Sequence, residues 1–174
     1  QSVAEGSLVT FTATATDPDL PAQSIRFSLD SPAPAGAAID PITGVFTWTP
    51  AEADGPGRFF ITVRASDTVN PAGSSIQIVT IDVTEVNQNP VVNQIPAGFD
   101  VDAGGGIQFT VAATDPDLPP NTLTWALSTP TQGATINAQT GFFDWQTTQA
   151  QAGRTFSFTV VVTDGQGGIG TSTF

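Results

Sequence analysis

The sequence predicts an all-β chain: two tandem seven-stranded Greek-key β-sandwich domains, the second lacking most of its last strand. Three observations predict it. Gly44 and Gly141, Trp48 and Trp145, Phe59 and Phe156, and Asp67 and Asp164 are each 97 residues apart, and the string ATDPDL at 15–20 returns 98 residues later at 113–118. A period that long is a small domain repeated, not a solenoid unit. Apolar residues alternate with Thr and other polar residues at a spacing of two, the strand period, and helix-spaced patterns are absent. Pro, Gly, Asn and Asp separate the runs.

The strands follow in order. After a short edge segment before Glu5, the first unit has Val9, Phe11, Ala13 and Ala15, then Ile25, Phe27 and Leu29, then a short piece at Ala38 and Ile39. Phe46 and Trp48 come next, then Phe59, Ile61, Val63 and Ala65, and last Val79, Ile81 and Val83. The second unit repeats this with Ile107, Phe109, Val111 and Ala113; Leu123, Trp125 and Leu127; Phe143 and Trp145; and Phe156, Phe158, Val160 and Val162. Seven short strands per unit suit a two-sheet sandwich. In DPITG (40–44) and NAQTG (137–141) an Asx residue precedes Gly by four positions, which predicts a tight hairpin with Gly44 and Gly141 at positive φ. Trp48 and Trp145 are read as core, because each follows an inward Phe by two. Shifting the last strand of unit one, about 75–84, by 97 places it at 172–181, so its counterpart is cut at Phe174 and a sheet edge is left open. The units divide as 1–89 and 90–174, joined through TEVNQNPVV (84–92), where Asn89-Pro90 and Ile95-Pro96 limit bending and favour an elongated tandem.

Composition excludes several function classes. The 174 residues carry 4 basic groups, all Arg (Arg26, Arg58, Arg64, Arg154), against 16 Asp and Glu, a net charge of −12. Such a field repels nucleic acid. No His or Cys is present, which removes His-based triads, thiol nucleophiles, His or Cys zinc sites and disulfides. No apolar run approaches the roughly 20 residues of a membrane span, so no membrane insertion is expected of this segment. Without an initiator Met or signal-peptide pattern, the chain reads as a fragment of something longer.

What remains is hard-cation oxygen chemistry. Asp17, Asp19 and Asp67 in unit one, and Asp115, Asp117 and Asp164 in unit two, sit in turns at strand ends and are expected to converge at one pole of each sandwich. Clustered carboxylates repel by kilocalories without a cation. Oxygen-only donors on loops suit Ca²⁺, with its six to eight ligands, better than Mg²⁺ or Zn²⁺. Solvated Asx turns are the plainer alternative. A glycosidase acid–base pair needs a cleft and a raised carboxyl pKa, which turn acids do not supply, so the chain is not read as an enzyme.

The strings VAEGSLVTFTATATDPDL and TGVFTWTPAEADG, the segment FFITVRASD and the linker EVNQNP together resemble bacterial cadherin-like repeats of the dystroglycan-type and Ig-domain group, over almost the whole chain. That resemblance implies Ca²⁺ at inter-repeat junctions and adhesive, carbohydrate-binding or structural roles in secreted and surface proteins. By motif, Asp115 and Asp117 match the family's D-x-D and Asp164 its A-x-D aspartate. Glu85, Asn87, Gln88 and Asn89 match its linker, and Glu5 its early glutamate. The L-D-R-E position reads Trp48-Thr49-Pro50-Ala51-Glu52, so an Asp is missing and Glu52 is the stand-in; Gln88 replaces a linker Asp. One ion held by Asp115, Asp117, Asp164 and the Asn87/Asn89 region is expected, while a second near Glu5, Glu52 and Glu85 stays open. Asp17, Asp19 and Asp67 form the equivalent half-site, to be completed by an upstream linker. Ala103 and Gln149 stand where Glu5 and Glu52 stand in unit one, so a junction beyond unit two should bind ions less well.

The expected function is a calcium-rigidified spacer or adhesion module of a secreted or cell-surface protein, partnered by neighbouring repeats and by homophilic or polysaccharide contacts. Two alternatives are a carbohydrate-binding module, with Phe60 and Phe142 as candidate exposed aromatics, and an extracellular filament subunit completed by strand donation.

Overall fold

A computed structural model describes residues 1–69, 73–128 and 133–174. Two compact units emerge, Gln1–Val86 and Asn87–Phe174. In the first, β1 (Ser2–Ala4), β2 (Val9–Thr12), β3 (Ile25–Leu29), β4 (Ala38–Ile39), β5 (Val45–Trp48), β6 (Gly57–Asp67) and β7 (Ser74–Thr84) form two sheets, ordered β1-β7-β6-β3 and β2-β5-β4. These are the seven expected strands. All pairs are antiparallel except β1 on β7, where Ala4 lies opposite Thr84.

Period-two alternation decides which side chains meet between the sheets. Val9, Phe46 and Trp48 from one sheet pack with Ile61, Val63, Ile81 and Val83 from the other. Each fully buried large side chain contributes about 1.5–3 kcal/mol. Trp48 meets Phe59 edge-on at 4.8 Å, and its indole N–H donates to the Ala35 carbonyl at 3.1 Å. Both tryptophans expected in the core are there, Trp48 in this unit and Trp145 in the other.

The second unit comprises β8 (Val91–Val92), β9 (Gly106–Thr110), β10 (Ala113–Thr114), β11 (Thr124–Leu127), β12 (Ala134–Ile136), β13 (Phe142–Gln146), β14 (Thr159–Thr163) and β15 (Ile169–Thr173). Its sheets are β12-β13-β9 and β11-β14-β15, with β8 paired to β10. Phe109, Phe143, Phe158 and Phe174 form its aromatic centre, with ring centroids 5.1–5.6 Å apart. Here β15 begins earlier than a uniform 97-residue shift implies. Thr163 pairs with Ile169, whereas Ser66 pairs with Ser74, because the turn is two residues shorter. Five residues of the last strand are therefore paired, against eleven in β7.

Gly44 and Gly141 have φ of 71° and 68°. At the first hairpin the Asp40 carboxylate accepts the Ile42 and Thr43 amides and is held below the usual carboxylate range by them, while Gly44 donates to the Asp40 carbonyl. The Gly44 carbonyl accepts the Ala13 amide at 2.9 Å, and a Cβ on Gly44 would collide with the Ala13 carbonyl. Gly36 has a similar φ of 79° but open space around it. Gly36→Ala is therefore expected to cost about 1–2 kcal/mol from φ alone, and Gly44→Ala clearly more. Urea midpoints of the two variants measure the difference; equal losses would show that the Ala13 approach carries no weight.

Candidate functional site

At one pole of the first unit, three distant parts of the chain converge. β1 runs parallel to β7, so Glu5 and Glu85 leave their strands side by side, and the Glu5 amide donates to the Thr84 carbonyl at 3.1 Å. The short 3₁₀ turn Glu52–Asp54 enters because Gly6 donates to the Pro50 carbonyl and Gly57 pairs with Val83. Glu5, Glu52 and Glu85 consequently bring one carboxylate oxygen each within 4.8 Å of one another, and among the described residues no other three acids do so. Glu5 is 7% exposed. Its Oε1 accepts the Val86 amide at 3.1 Å, while its Oε2 is buried with no hydrogen-bond partner. A Cβ on Gly55 would strike that same Oε2, so Gly55 keeps open the space in front of it.

In the second unit the expected aspartates join one network. Asp164 directly follows β14, and its Oδ1 accepts the amides of Gln166, Gly167 and Gly168 at 2.7–3.0 Å, while Oδ2 accepts the Asn87 side-chain amide at 2.9 Å. Asp117, 1% exposed, accepts the Gln88 amide and the Asn121 side-chain amide, both at 2.9 Å. Asp115 Oδ1 accepts the Asp117 and Asn121 amides at 3.2 and 3.1 Å; its Oδ2 is buried without a partner. Asn89 accepts the Ile169 amide at 3.1 Å. The carboxylates are thus spaced by amides rather than packed oxygen to oxygen, unlike the three glutamates.

Asp17, Asp19 and Asp67 line a cavity of about 310 Å³ at the corresponding pole of the first unit. Asp17 accepts the Asp19 and Gln23 amides at 2.8 Å, and the Gln23 side-chain nitrogen, turned toward Asp67, lies 2.6 and 2.8 Å from its two oxygens. Asp17 and Asp67 are half-buried and Asp19 is exposed. Asp117 is sealed by contrast, because Gln88 and Asn121 cover it.

Sequence reasoning missed Asn121, Gly55 and Gly168. Asn121 stands six residues after Asp115 as Gln23 stands six after Asp17, so the repeat itself marked the position. Gly168 is needed because a Cβ there would collide with Asp164 Oδ2 and sit 3.0 Å from the Asn87 amide nitrogen.

The donor set fits a hard divalent cation. Both clusters offer oxygen only, and each holds one buried carboxylate oxygen that no protein donor satisfies, Glu5 Oε2 and Asp115 Oδ2. Ca²⁺ accepts irregular sets of six to eight oxygens at 2.3–2.6 Å, whereas Mg²⁺ demands an octahedron. Phe60 and Phe142 do face outward, 61% and 41% exposed, but neither makes a ring contact among the described residues, and nothing here supports a sugar platform.

The Asn87 amide, helped by three backbone N–H groups, holds the Asp164 carboxyl below its ordinary value. A depressed folded-state pKa means that its stabilisation is fully present above the unfolded value of about 3.9 and is lost as pH falls through the lower folded value. Urea midpoints from pH 6 down to pH 2 should therefore decline for the second unit in that acid range, and less steeply in Asp164→Asn. Parallel profiles for the two proteins would contradict this.

Residues 87–174 match the bacterial Ig domain family, and residues 1–84 match the family described as Putative Ig domain. The chain belongs to the bacterial Ig domain family. These tandem Ig-like repeats are also cadherin-like. Mouse cadherin-23 is 33% identical over 118 residues, which is 62% of this chain and 4% of that protein. Rat cadherin-23 is 32% identical over the same length and shares. Among solved structures, mouse cadherin-23 EC22-24 aligns with 99% of the Ig-domain chain and 60% of its own, at a TM-score of 0.56 and 22% identity. For human CDH23 EC21-23 the figures are 99%, 59%, 0.59 and 22%. At that identity the likeness shows the tandem β-sandwich fold, and the chain spans only a small part of the curated relatives it matches. No described helix is long and apolar enough to cross a membrane.

Proposed function

We propose that this Ig-domain tandem is a Ca²⁺-stabilised structural or adhesive segment of a larger extracellular or cell-surface protein. The observation that carries the reading is the Glu5, Glu52 and Glu85 cluster, where one carboxylate oxygen from each lies within 4.8 Å of the others and Glu5 Oε2 is buried and unsatisfied. Such an arrangement is costly alone and favourable around a cation. When bound, Ca²⁺ supplies the positive charge that lets these oxygens share one centre. Glu5, Glu52 and Glu85 would hold one ion, and Asp115, Asp117 and Asp164, with the Asn87 and Asn89 region, would hold another. Asp17, Asp19 and Asp67 would make a weaker half-site, since Asp19 is exposed. Gly55 and Gly168 preserve the space. Along the chain only Val86 separates Glu85 of the first set from Asn87 of the second, so ions on both would restrain the connecting backbone and favour an extended tandem. Matches to cadherin-23 support an adhesive or structural role outside the cell, with neighbouring repeats as partners.

Affinity is expected on the order of 10⁻⁴ to 10⁻³ M, as in extracellular modules. At ten times the dissociation constant, binding adds about 1.4 kcal/mol, or about 5–10 °C in Tm for units of this size. Calorimetric melting in 10 mM CaCl₂ against EDTA tests this, with small-angle scattering reporting a longer, narrower particle in calcium. Glu5→Gln and Asp115→Asn should each remove the calcium shift of their own unit. Identical melting and scattering in both buffers would defeat the proposal.

A further inference from the structure

The sheet β1-β7-β6-β3 of the first unit turns both apolar and basic side chains toward solvent. Alternation along its two long strands sends Ile61, Val63, Ile81 and Val83 into the core, so Arg58, Phe60 and Thr62 of β6 and Ile78, Thr80 and Asp82 of β7 face outward. Ile76 and Arg64, opposite each other, continue that face, and Phe60, Ile76 and Ile78 are 61%, 54% and 53% exposed. Arg26 of β3 lies on it too, opposite Ser66. Three of the four Arg and only two acids, Asp30 and Asp82, gather here, a local balance of +1 in a chain of net charge −12.

The second unit, built on the same repeat, has no such face. At the 97-residue spacing Ser157, Thr159 and Val161 stand for Phe60, Thr62 and Arg64, and Thr171 and Thr173 hold the register positions of Ile76 and Ile78. Small uncharged residues therefore serve these positions in the fold, and folding alone does not call for Phe, Ile and Arg there. Ile78 lies opposite Thr62 and so is the diagonal neighbour of Phe60, with Ile76 two residues along the same strand. The three make one contiguous apolar stripe, the kind of surface that marks a contact with another molecule.

We infer that this face docks on the same face of a second copy of the chain. Its pattern is self-complementary. About a two-fold axis parallel to the strands and midway between β6 and β7, β6 of each copy covers β7 of the other, as an isologous contact requires. Each large side chain then meets a small one, Phe60 over Thr80 and Ile78 over Thr62. Ile76 covers the aliphatic stem of Arg64, whose guanidinium is held by Asp30 at 2.6 and 2.9 Å and by Ser74 at 3.0 Å. Arg58 comes over Asp82 and Asp82 over Arg58, so the ion pair that each copy makes within itself becomes a four-charge network across the axis. Balanced charge of this kind fits a second copy better than an acidic partner, since Asp30 and Asp82 already neutralise two of the three guanidiniums. Three strands about 4.8 Å apart and five outward rows about 6.8 Å apart give a footprint of about 500 Å². That is less than the roughly 800 Å² per partner of a standard complex, so association is weak, with a dissociation constant on the order of 10⁻⁴ M. Nothing in this contact needs a cation.

Sedimentation equilibrium of the 174-residue chain in EDTA tests this, from about 10 µM to about 1 mM protein and in about 0.15 M salt to screen the net charge. Wild type should approach a dimer at the upper end. Arg58→Asp puts acids at both positions of the pair and Asp82→Arg puts arginines there, so each variant alone should associate about tenfold or more weakly. An equimolar mixture of the two should associate again, because opposite charges then meet at both positions across the axis. Phe60→Asp should weaken association to a similar degree, and Thr171→Asp, at the matching place in the second unit, should leave it unchanged. Calorimetric transitions close to those of wild type show that the variants remain folded. A chain that stays monomeric at about 1 mM, single variants that associate as wild type does, a mixture that stays monomeric, or equal losses in Phe60→Asp and Thr171→Asp would each overturn the inference.

Discussion

Trp48→Ala is expected to remove about 3–5 kcal/mol from the first unit. Trp48 is 1% exposed, contacts Phe59 edge-on and satisfies its own indole N–H on Ala35, so truncation leaves a large cavity between rigid sheets and a carbonyl without its donor. A domain of this size has about 5–15 kcal/mol of total stability, and each kilocalorie corresponds to about 4–8 °C in Tm. The first unit should therefore melt at least about 12 °C lower, while the transition of the second unit, which has its own core around Phe143, stays in place. Differential scanning calorimetry separates the two. Trp48→Phe, which keeps most of the ring, should recover more than half of the loss. A shift of both transitions together would mean that the two cores are not independent.

The effect of Glu5→Gln on stability should depend on the buffer. In EDTA the wild-type cluster holds three carboxylates whose oxygens lie within 4.8 Å. Each pair then repels by about 1 to 3 kcal/mol as the effective dielectric drops from that of water toward 20. Neutralising Glu5 removes two of those pairs, and the amide oxygen can still accept the Val86 N–H that Glu5 Oε1 accepts now. The variant should be more stable than wild type in EDTA, by at least about 1–2 kcal/mol in urea unfolding at pH 7, the high-dielectric end for two pairs. In 10 mM CaCl₂ that advantage should shrink by about 1.4 kcal/mol, the binding contribution that wild type gains and the variant lacks. A glutamate that served packing alone would show the same difference from wild type in both buffers.

Much of the fold was legible because its determinants are local or periodic. The alternation around Phe46 and Trp48 sets an inward face, and the Asx-to-Gly spacing of Asp40 and Gly44 sets a turn, and both signals appear twice at one spacing. The last strand was less legible. A uniform shift of 97 ignores the two residues missing from the turn after Asp164, so β15 starts earlier and half of its ladder is present.

The acid clusters divide differently. Asp115, Asp117 and Asp164 announce themselves through the repeated D-P-D turn and the residue ending the long strand. Their linking partner Asn121 is an ordinary loop asparagine until Asn87 and Asp117 are seen on either side of it. Glu5, Glu52 and Glu85 are separated by 47 and 33 residues, and only the parallel placement of β1 beside β7 brings them together. Linear spacing carries no trace of that parallel pairing, and for the same reason nothing local marks Gly55 as the residue that must lack a side chain.

Calcium binding itself is the most direct measurement. Isothermal titration of the metal-stripped chain with CaCl₂ at pH 7 should give saturable binding in the range of 10⁻⁴ to 10⁻³ M, with one class of site lost in Glu5→Gln and another in Asp115→Asn. Heats indistinguishable from dilution up to 10 mM, for wild type and variants alike, would contradict the cation-holding role of both clusters.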